Sequence, residues 1–204
     1  MLEHPSIRRY SFLSHTRNMV GGMSSDNPFG AGNQQETEEP VTGLDPWWVV
    51  GFVDGEGCFS VAIHRNTRYA RRTGGWQLAP VFQVYQHEKE RELLHRVQSH
   101  FGCGSVVSKG PQSRVLTYTV TSRRQIEQHI LPFFERYRPL VKGSDFDRFA
   151  EIVRSMQRKE HFEPAGFDRL VRLAYAMNAQ GKQRSRPIEA VLQGSSETVR
   201  QAPW

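Results

Sequence analysis

One stretch constrains this chain more than any other. The apolar run Trp47-Trp48-Val49-Val50-Gly51-Phe52-Val53 ends abruptly in Asp54-Gly55-Glu56-Gly57. Asp45 can accept from the free N–H groups of a helix start, and Pro46 fits the first helical position. The body is a poor helix by propensity, because Val49, Val50, Gly51, Val53 and Gly55 are all weak formers. Such a helix persists only where tertiary packing holds it, and apolar residues on every side predict burial. Gly51 and Gly55 lie four apart on one face, so another backbone could come close there, by a rule best established in membranes. The run is far short of the roughly 20 apolar residues that span a bilayer.

Glu56 is the oddity of the run. A carboxylate in the last turn sits at the negative end of the helix dipole and beside apolar structure, so its charge is costly twice over. Two such helices side by side would bring two Glu56 carboxylates together around a shared divalent cation, which would remove that cost. The plainer reading is a helix C-cap with a solvated Glu, Gly57 supplying a left-handed stop. For one acid after one apolar run, the plainer reading is preferred.

The full pattern shifts that balance. Val49 through Gly57 resembles the nine-residue signature of the LAGLIDADG homing endonuclease family, and the form Gly-Phe-Val-Asp-Gly-Glu-Gly-Cys-Phe at residues 51–59 is common within it. Three further landmarks follow in family order. Phe82-Gln83-Val84-Tyr85-Gln86 looks like the second strand, Phe101-Gly102-Cys103-Gly104-Ser105-Val106 like the helix-to-strand turn, and Arg138-Pro139-Leu140-Val141-Lys142 like the start of the last helix. The resemblance covers roughly residues 45–155. It implies an α+β chain with an αββαββα fold and extra C-terminal helices. A single copy of the signature implies a homodimer, whose paired helices would meet through Trp48, Gly51, Phe52, Asp54 and Gly55.

The chain's 204 residues allow one compact domain with appendages, or two small ones. We divide it into an N-terminal extension at 1–44, disordered or arising from start-codon choice, a core at 45–158, and a helical, basic tail at 159–204. Charge follows that division. Residues 1–46 hold three Arg against six acids, whereas residues 47–204 hold 24 Lys and Arg against 15 acids, a balance that suits a polyanion. Cys58 and Cys103 form no C-x-x-C pair and the eight His are scattered, so zinc and an obligatory disulfide are not expected. No apolar core marks a secretory signal, and an intracellular, cytoplasmic, nucleoid-associated protein without a membrane is the expectation, an organelle remaining open.

Along the core, Phe59, Val61 and Ile63 alternate with Ser60, Ala62 and His64, which predicts a half-buried strand. An Arg-rich loop over 66–75 leads to a second strand over about 76–86. Leu93, Leu94, Val97 and Phe101 predict a helix that stops at Gly102. Strands are expected at about 105–108 and 116–121. Ser122 and Gln125 form a capping box for a helix carrying Ile126, Ile130 and Phe133. Pro139 is expected to open a further helix with Phe146, Phe149, Val153 and Met156 on one side. In the tail, Phe167, Leu170, Val171, Ala174 and Met177 predict an amphipathic helix ending near Gly181. The basic run Lys182 to Pro187 reads as a solvated loop or as a phosphate contact.

The resemblance assigns the chemistry. Glu56 would hold Mg²⁺ or another divalent cation, and the Gly55 carbonyl would add a ligand, since hydrolysis of a phosphodiester needs charge neutralised at the attacking and leaving oxygens. Asp54 would secure the paired helix ends, and Gln86 would orient the attacking water. Lys142 would stabilise the strained phosphate, but it sits two residues early, with Ser144 where Lys is usual. Glu90 stands where a second basic helper is expected. These departures imply altered geometry or reduced activity. The sheet would read the DNA major groove. Its candidate contacts are Ser60, His64, Gln77 and Gln83 on the first ribbon, and Lys109, Arg114, Thr117 and Thr119 on the second. Arg68, Arg71 and Arg72 would grip phosphates. The implied function is a site-specific double-stranded DNA endonuclease acting at a nearly palindromic site. The alternative is a non-cleaving binder of the same fold, either an intron RNA maturase or a DNA-binding regulator.

Overall fold

The computed structural model describes residues 43–177 and 186–193, with the side chains of Arg71 and Arg72 left aside. The expectations for the N-terminal extension through residue 42 and for Lys182 to Ser185 lie outside the described residues. Helix α1 (Pro46–Glu56) opens as the sequence predicts. Asp45 Oδ1 accepts from Trp48 N–H at 2.8 Å, and Pro46 takes the first turn. Strand β1 (Gly57–Arg65) follows without a loop. Gly57 is extended (φ −87°, ψ 166°), so the left-handed stop of the plainer reading does not form. Glycine is needed there for space: an added Cβ would lie 2.6 Å from Val53 Cγ1 and 2.7 Å from the Val53 carbonyl oxygen.

The Arg-rich segment is not an open loop. Asn66 Oδ1 accepts from Arg68 N–H at 3.1 Å, and a short helix α2 (Ala70–Thr73) carries the chain back to β2 (Trp76–His87). Helix α3 (Arg91–Phe101) stops where Gly102 turns left-handed (φ 63°), as its sequence predicts. Strands β3 (Ser105–Ser108) and β4 (Val115–Val120) close a four-stranded antiparallel sheet in the order β1-β2-β4-β3.

Ser122 Oγ then receives Gln125 N–H at 3.5 Å, half of the expected capping box. The helix that follows is interrupted. The short α4 (Arg123–Gln125) passes into one π-helical turn (Ile126–Ile130) and then α5 (Leu131–Arg136). Pro132 lies just past the wide turn; it lacks an N–H, and its ring crowds the carbonyl four residues back. Pro139 does not open the next helix. Residues 139–142 form a loop, and α6 (Gly143–Gln157) starts four residues later. In the tail, α7 (Pro164–Ala176) buries Phe167, Leu170, Val171 and Ala174 as expected, and ends at Ala176 rather than near Gly181. A last helical stretch covers 188–193. The architecture is thus the expected α+β order, with the short α2 inserted and helices added after the core.

One face of the sheet is covered. Phe59 packs against Phe82, Phe134, Phe146 and Phe149 with ring centroids 5.1–5.5 Å apart, joining the sheet to α5 and α6. Leu94, Val97 and Phe101 of α3 extend this core over β4. Each fully buried large apolar side chain contributes about 1.5–3 kcal/mol relative to exposure. The opposite face carries none of these helices, and that difference positions the site.

Candidate nucleic-acid interface and acidic helix tip

Helix α1 is apolar all round but only partly buried. Val49, Val50 and Val53 are in the core. Trp47 and Trp48 stay 60% and 42% exposed, and Gly51 and Gly55 have nothing within 4 Å of where a Cβ would be. Trp48 stacks on Phe52, ring centroids 5.0 Å apart, which stiffens this open side. The predicted interface residues Trp48, Gly51, Phe52 and Gly55 therefore share a surface that a second helix can approach.

Asp54 has another task within its own chain. Its carboxylate accepts from Leu140 N–H (2.8 Å), Val141 N–H (3.2 Å) and Lys142 N–H (3.0 Å). That grip holds 139–142 as a loop and delays the start of α6. It also holds Leu140 at 91% and Val141 at 77% exposure. Sequence reasoning missed these two residues as surface, because an apolar pair after Pro139 reads as helix.

Glu56 is exposed at this helix tip. The burial cost expected from the sequence is therefore absent in a single chain. Among the described residues, no group of three His, Cys, Asp or Glu could hold a metal. The oxygen donors at the tip, the Glu56 carboxylate and the Gly55 carbonyl, do suit a hard cation such as Mg²⁺. One carboxylate leaves most of the coordination shell to groups from elsewhere. Lys142 is tied by its ammonium to the Asp54 carbonyl, so its charge sits against the negative end of α1. Ser144 and Glu90, which stand where basic helpers are expected, are both exposed.

Gln86 lies at the same end of the sheet. Val84 pairs with Gly57, and Gln86 stands two residues further along β2, opposite Leu116. Its parity is that of Phe82 and Val84, the helix-covered face, and its Oε1 accepts from His87 N–H at 3.2 Å.

The uncovered face follows from register. Cys58 pairs with Gln83, Ser60 with Val81 and His64 with Gln77. Gln83 also pairs with Thr119, and Tyr85 with Thr117. Ser60, His64, Gln77, Gln83, Thr117 and Thr119 thus share one face, as the sequence predicts. Their availability differs. His64 is exposed, whereas Thr117 is 3% exposed, sunk between its neighbours on β2 and β3, and so fills the face rather than projecting from it. Thr119 Oγ1 is sealed and without a partner. Gln77 Oε1 accepts from Asn66 Nδ2 at 2.5 Å, and Gln83 Oε1 from the Tyr85 hydroxyl at 2.8 Å. Tyr85 was not among the expected residues, although its spacing of two from Gln83 puts it on the same face. Burial raises the Tyr85 hydroxyl pKa, with the neighbouring Cys58 adding to the effect. Burial likewise raises the Cys58 thiol, opposed by a Ser60 hydrogen bond and by Lys142. Both groups therefore stay neutral at physiological pH.

Arg68 projects from the β1–β2 connection. Lys109 and Arg114 stand in the β3–β4 connection, outside the strands. Lys109 Nζ lies 5.2 Å from the Tyr85 ring centroid, and the largely exposed Arg114 reaches Glu88 at 3.9 Å. The side chains of Arg71 and Arg72 lie outside the described residues; their backbone forms part of α2.

Comparison with known proteins places this arrangement. A family model described as LAGLIDADG endonuclease matches residues 49–153. The chain is 31% identical over 137 residues to the probable intron-encoded endonuclease 2 of Neurospora crassa, a match covering 67% of this chain and 30% of that one. The chain spans between 23% and 30% of the length of the fungal curated relatives it matches. Among solved structures, it superposes on the archaeal intron-encoded homing endonuclease I-Vdi141I complexed with DNA (TM-score 0.68, 29% identity), covering 76% of this chain and 96% of that one. It also superposes on the meganuclease I-SmaMI bound to uncleaveable DNA (TM-score 0.65, 32% identity), covering 75% of this chain and 49% of that one. The family match begins inside α1 and ends inside α6, so it takes in the whole sheet and its helical cover. On that extent, this chain belongs to the LAGLIDADG endonuclease family.

Proposed function

We propose that the chain is a site-specific endonuclease of double-stranded DNA that acts as a homodimer, with two α1 helices packed through their open sides. The observation that carries this reading is Glu56, a solvent-exposed carboxylate at the tip of an apolar helix whose outer side holds two tryptophans and two uncrowded glycines. An apolar side left bare beside an exposed acid suits a contact with a second copy. The near-complete coverage of I-Vdi141I and half coverage of I-SmaMI support a single-motif chain that needs a partner copy.

Mg²⁺ or another divalent cation would be held by Glu56 and the Gly55 carbonyl, with the partner's Glu56 and DNA phosphate oxygens completing the shell. Its chemistry is to neutralise charge on the attacking and leaving oxygens of the phosphodiester. The chain's own residues do the rest. Asp54 fixes the loop behind the helix tip, and the Lys142 ammonium secures the tip from behind. Gln86, at the same end of the sheet, is suited to orient the attacking water. The uncovered sheet face enters the major groove, and the connecting loops bring Arg68, Lys109 and Arg114 to the duplex.

A second reading is a non-cleaving binder of DNA or intron RNA. It is favoured by one observation: the Lys142 ammonium is engaged by the Asp54 carbonyl, with Ser144 and Glu90 at the positions where basic helpers are expected. Cleavage of duplex DNA spanning an uninterrupted insertion site, with Mg²⁺ present, separates the two. Glu56→Gln should lower cleavage by at least about a hundredfold, the loss typical when one charge-stabilising group is removed, with DNA binding retained. Chelation of the metal should do the same. Tight RNA binding without any cut would favour the second reading, and unimpaired cutting by Glu56→Gln would remove Glu56 from the chemistry.

A further inference from the structure

The four strands contain a single arginine or lysine, Arg65. Register puts Arg65 opposite Trp76, on the helix-covered side. Its guanidinium lies 3.9 Å from the Trp76 ring centroid and donates to the Gly74 carbonyl. The uncovered face therefore presents no cationic Lys or Arg side chain from any strand. Its centre consists of Ser60, Ala62, Ala79, Val81, Gln83 and Tyr85. Among the described residues, Lys109 of the β3–β4 connection brings positive charge to the edge of this face, its Nζ 5.2 Å from the Tyr85 ring centroid, and Arg68 and Arg114 stand exposed in the connecting loops.

The base pairs differ in what such a face can recognise. Guanine shows two acceptors in the major groove and is read best by the paired donors of Arg or Lys. Adenine shows one acceptor and one donor, which a Gln amide matches. Thymine shows a methyl group, which apolar side chains match. The Tyr85 hydroxyl holds Gln83 Oε1 at 2.8 Å, which fixes the amide with its NH₂ group free as a donor and one carbonyl lone pair left to accept. That is the pairing adenine N7 and N6 require. Ala62, Ala79 and Val81 offer only methyl groups.

We infer that the half-site under the centre of this sheet is rich in A·T pairs, with guanine read only where the loops enter the groove, and that Tyr85 is a positioning residue for an adenine contact by Gln83. This inference rests on the DNA-reading function proposed above. The test is selection from randomised duplex DNA with the full chain carrying Glu56→Gln, scored by binding so that cleavage is not needed. A·T should exceed G·C by roughly tenfold at the central positions of each half-site. Gln83→Arg should move one position in each half-site from A towards G. Tyr85→Phe should shrink the preference for A over G at that same position severalfold while the preferences at the other positions of the half-site stay as they were, which a general loss of sheet structure would not do. Duplex retained with G·C at or above parity under the sheet, or a consensus unmoved by Gln83→Arg, would overturn this inference alone. Failure to retain any duplex would overturn the DNA-reading function together with it.

Discussion

Both sides of α1 are apolar, and their surroundings are opposite. Val49, Val50 and Val53 are sealed against the sheet and its helices, while Trp47 and Trp48 remain exposed beside the rings of Tyr137 and Phe52, and Gly51 and Gly55 have open space next to them. Leu140 and Val141, held out by Asp54, add to the bare apolar surface near the same helix. The comparison shows that hydropathy marks where water is to be excluded but not by what. One side is closed by the chain itself, and the other is suited to closure by a copy of it.

Substitutions along this helix can break or sharpen that contrast. Val53→Asp puts an unpaired carboxylate in the core and should destabilise the chain by more than about 4 kcal/mol, in practice unfolding it. Chemical denaturation reads this, and a stable variant would mean that the inner side is not core. Gly57→Ala forces a Cβ against the Val53 carbonyl oxygen and should cost about 1–3 kcal/mol by the same measurement. Asp54→Ala frees three N–H groups that water can partly reach, so about 1 kcal/mol is expected. Its clearer signature is faster amide exchange at Leu140, Val141 and Lys142. Gly51→Leu has the smallest effect on the single chain and the opposite sign. It should stabilise the free chain by about 0.5–1 kcal/mol through helix propensity, yet weaken self-association in sedimentation, because the added side chain keeps a second helix away. Unchanged association would show that the open side of α1 is not the contact.

Much of the fold was legible because local rules and burial agreed. The alternation of Phe59, Val61 and Ile63 specified β1 and its covered face, and Gly102 stopped α3 where a left-handed residue is needed. Local rules failed where a distant group intervened. Pro139 is a good helix opener, but the Asp54 carboxylate, 85 residues earlier in the chain, takes the N–H groups of the next residues and defers α6 to Gly143. Similarly, nothing near Glu127 in sequence announces the π-helical turn except Pro132 beyond it.

The candidate site divides in the same way. The signature, the position of Glu56 at a helix tip and the parity of Gln77 and Gln83 were set by the sequence, because a period of two in strands and 3.6 in helices fixes which side chains share a face. The exposure of Glu56, the burial of Thr117 and the engagement of Lys142 by the Asp54 carbonyl were decided only by tertiary structure. Each depends on groups far apart in the chain, and spacing along one element cannot say which distant atom will take a hydrogen bond or shut out water.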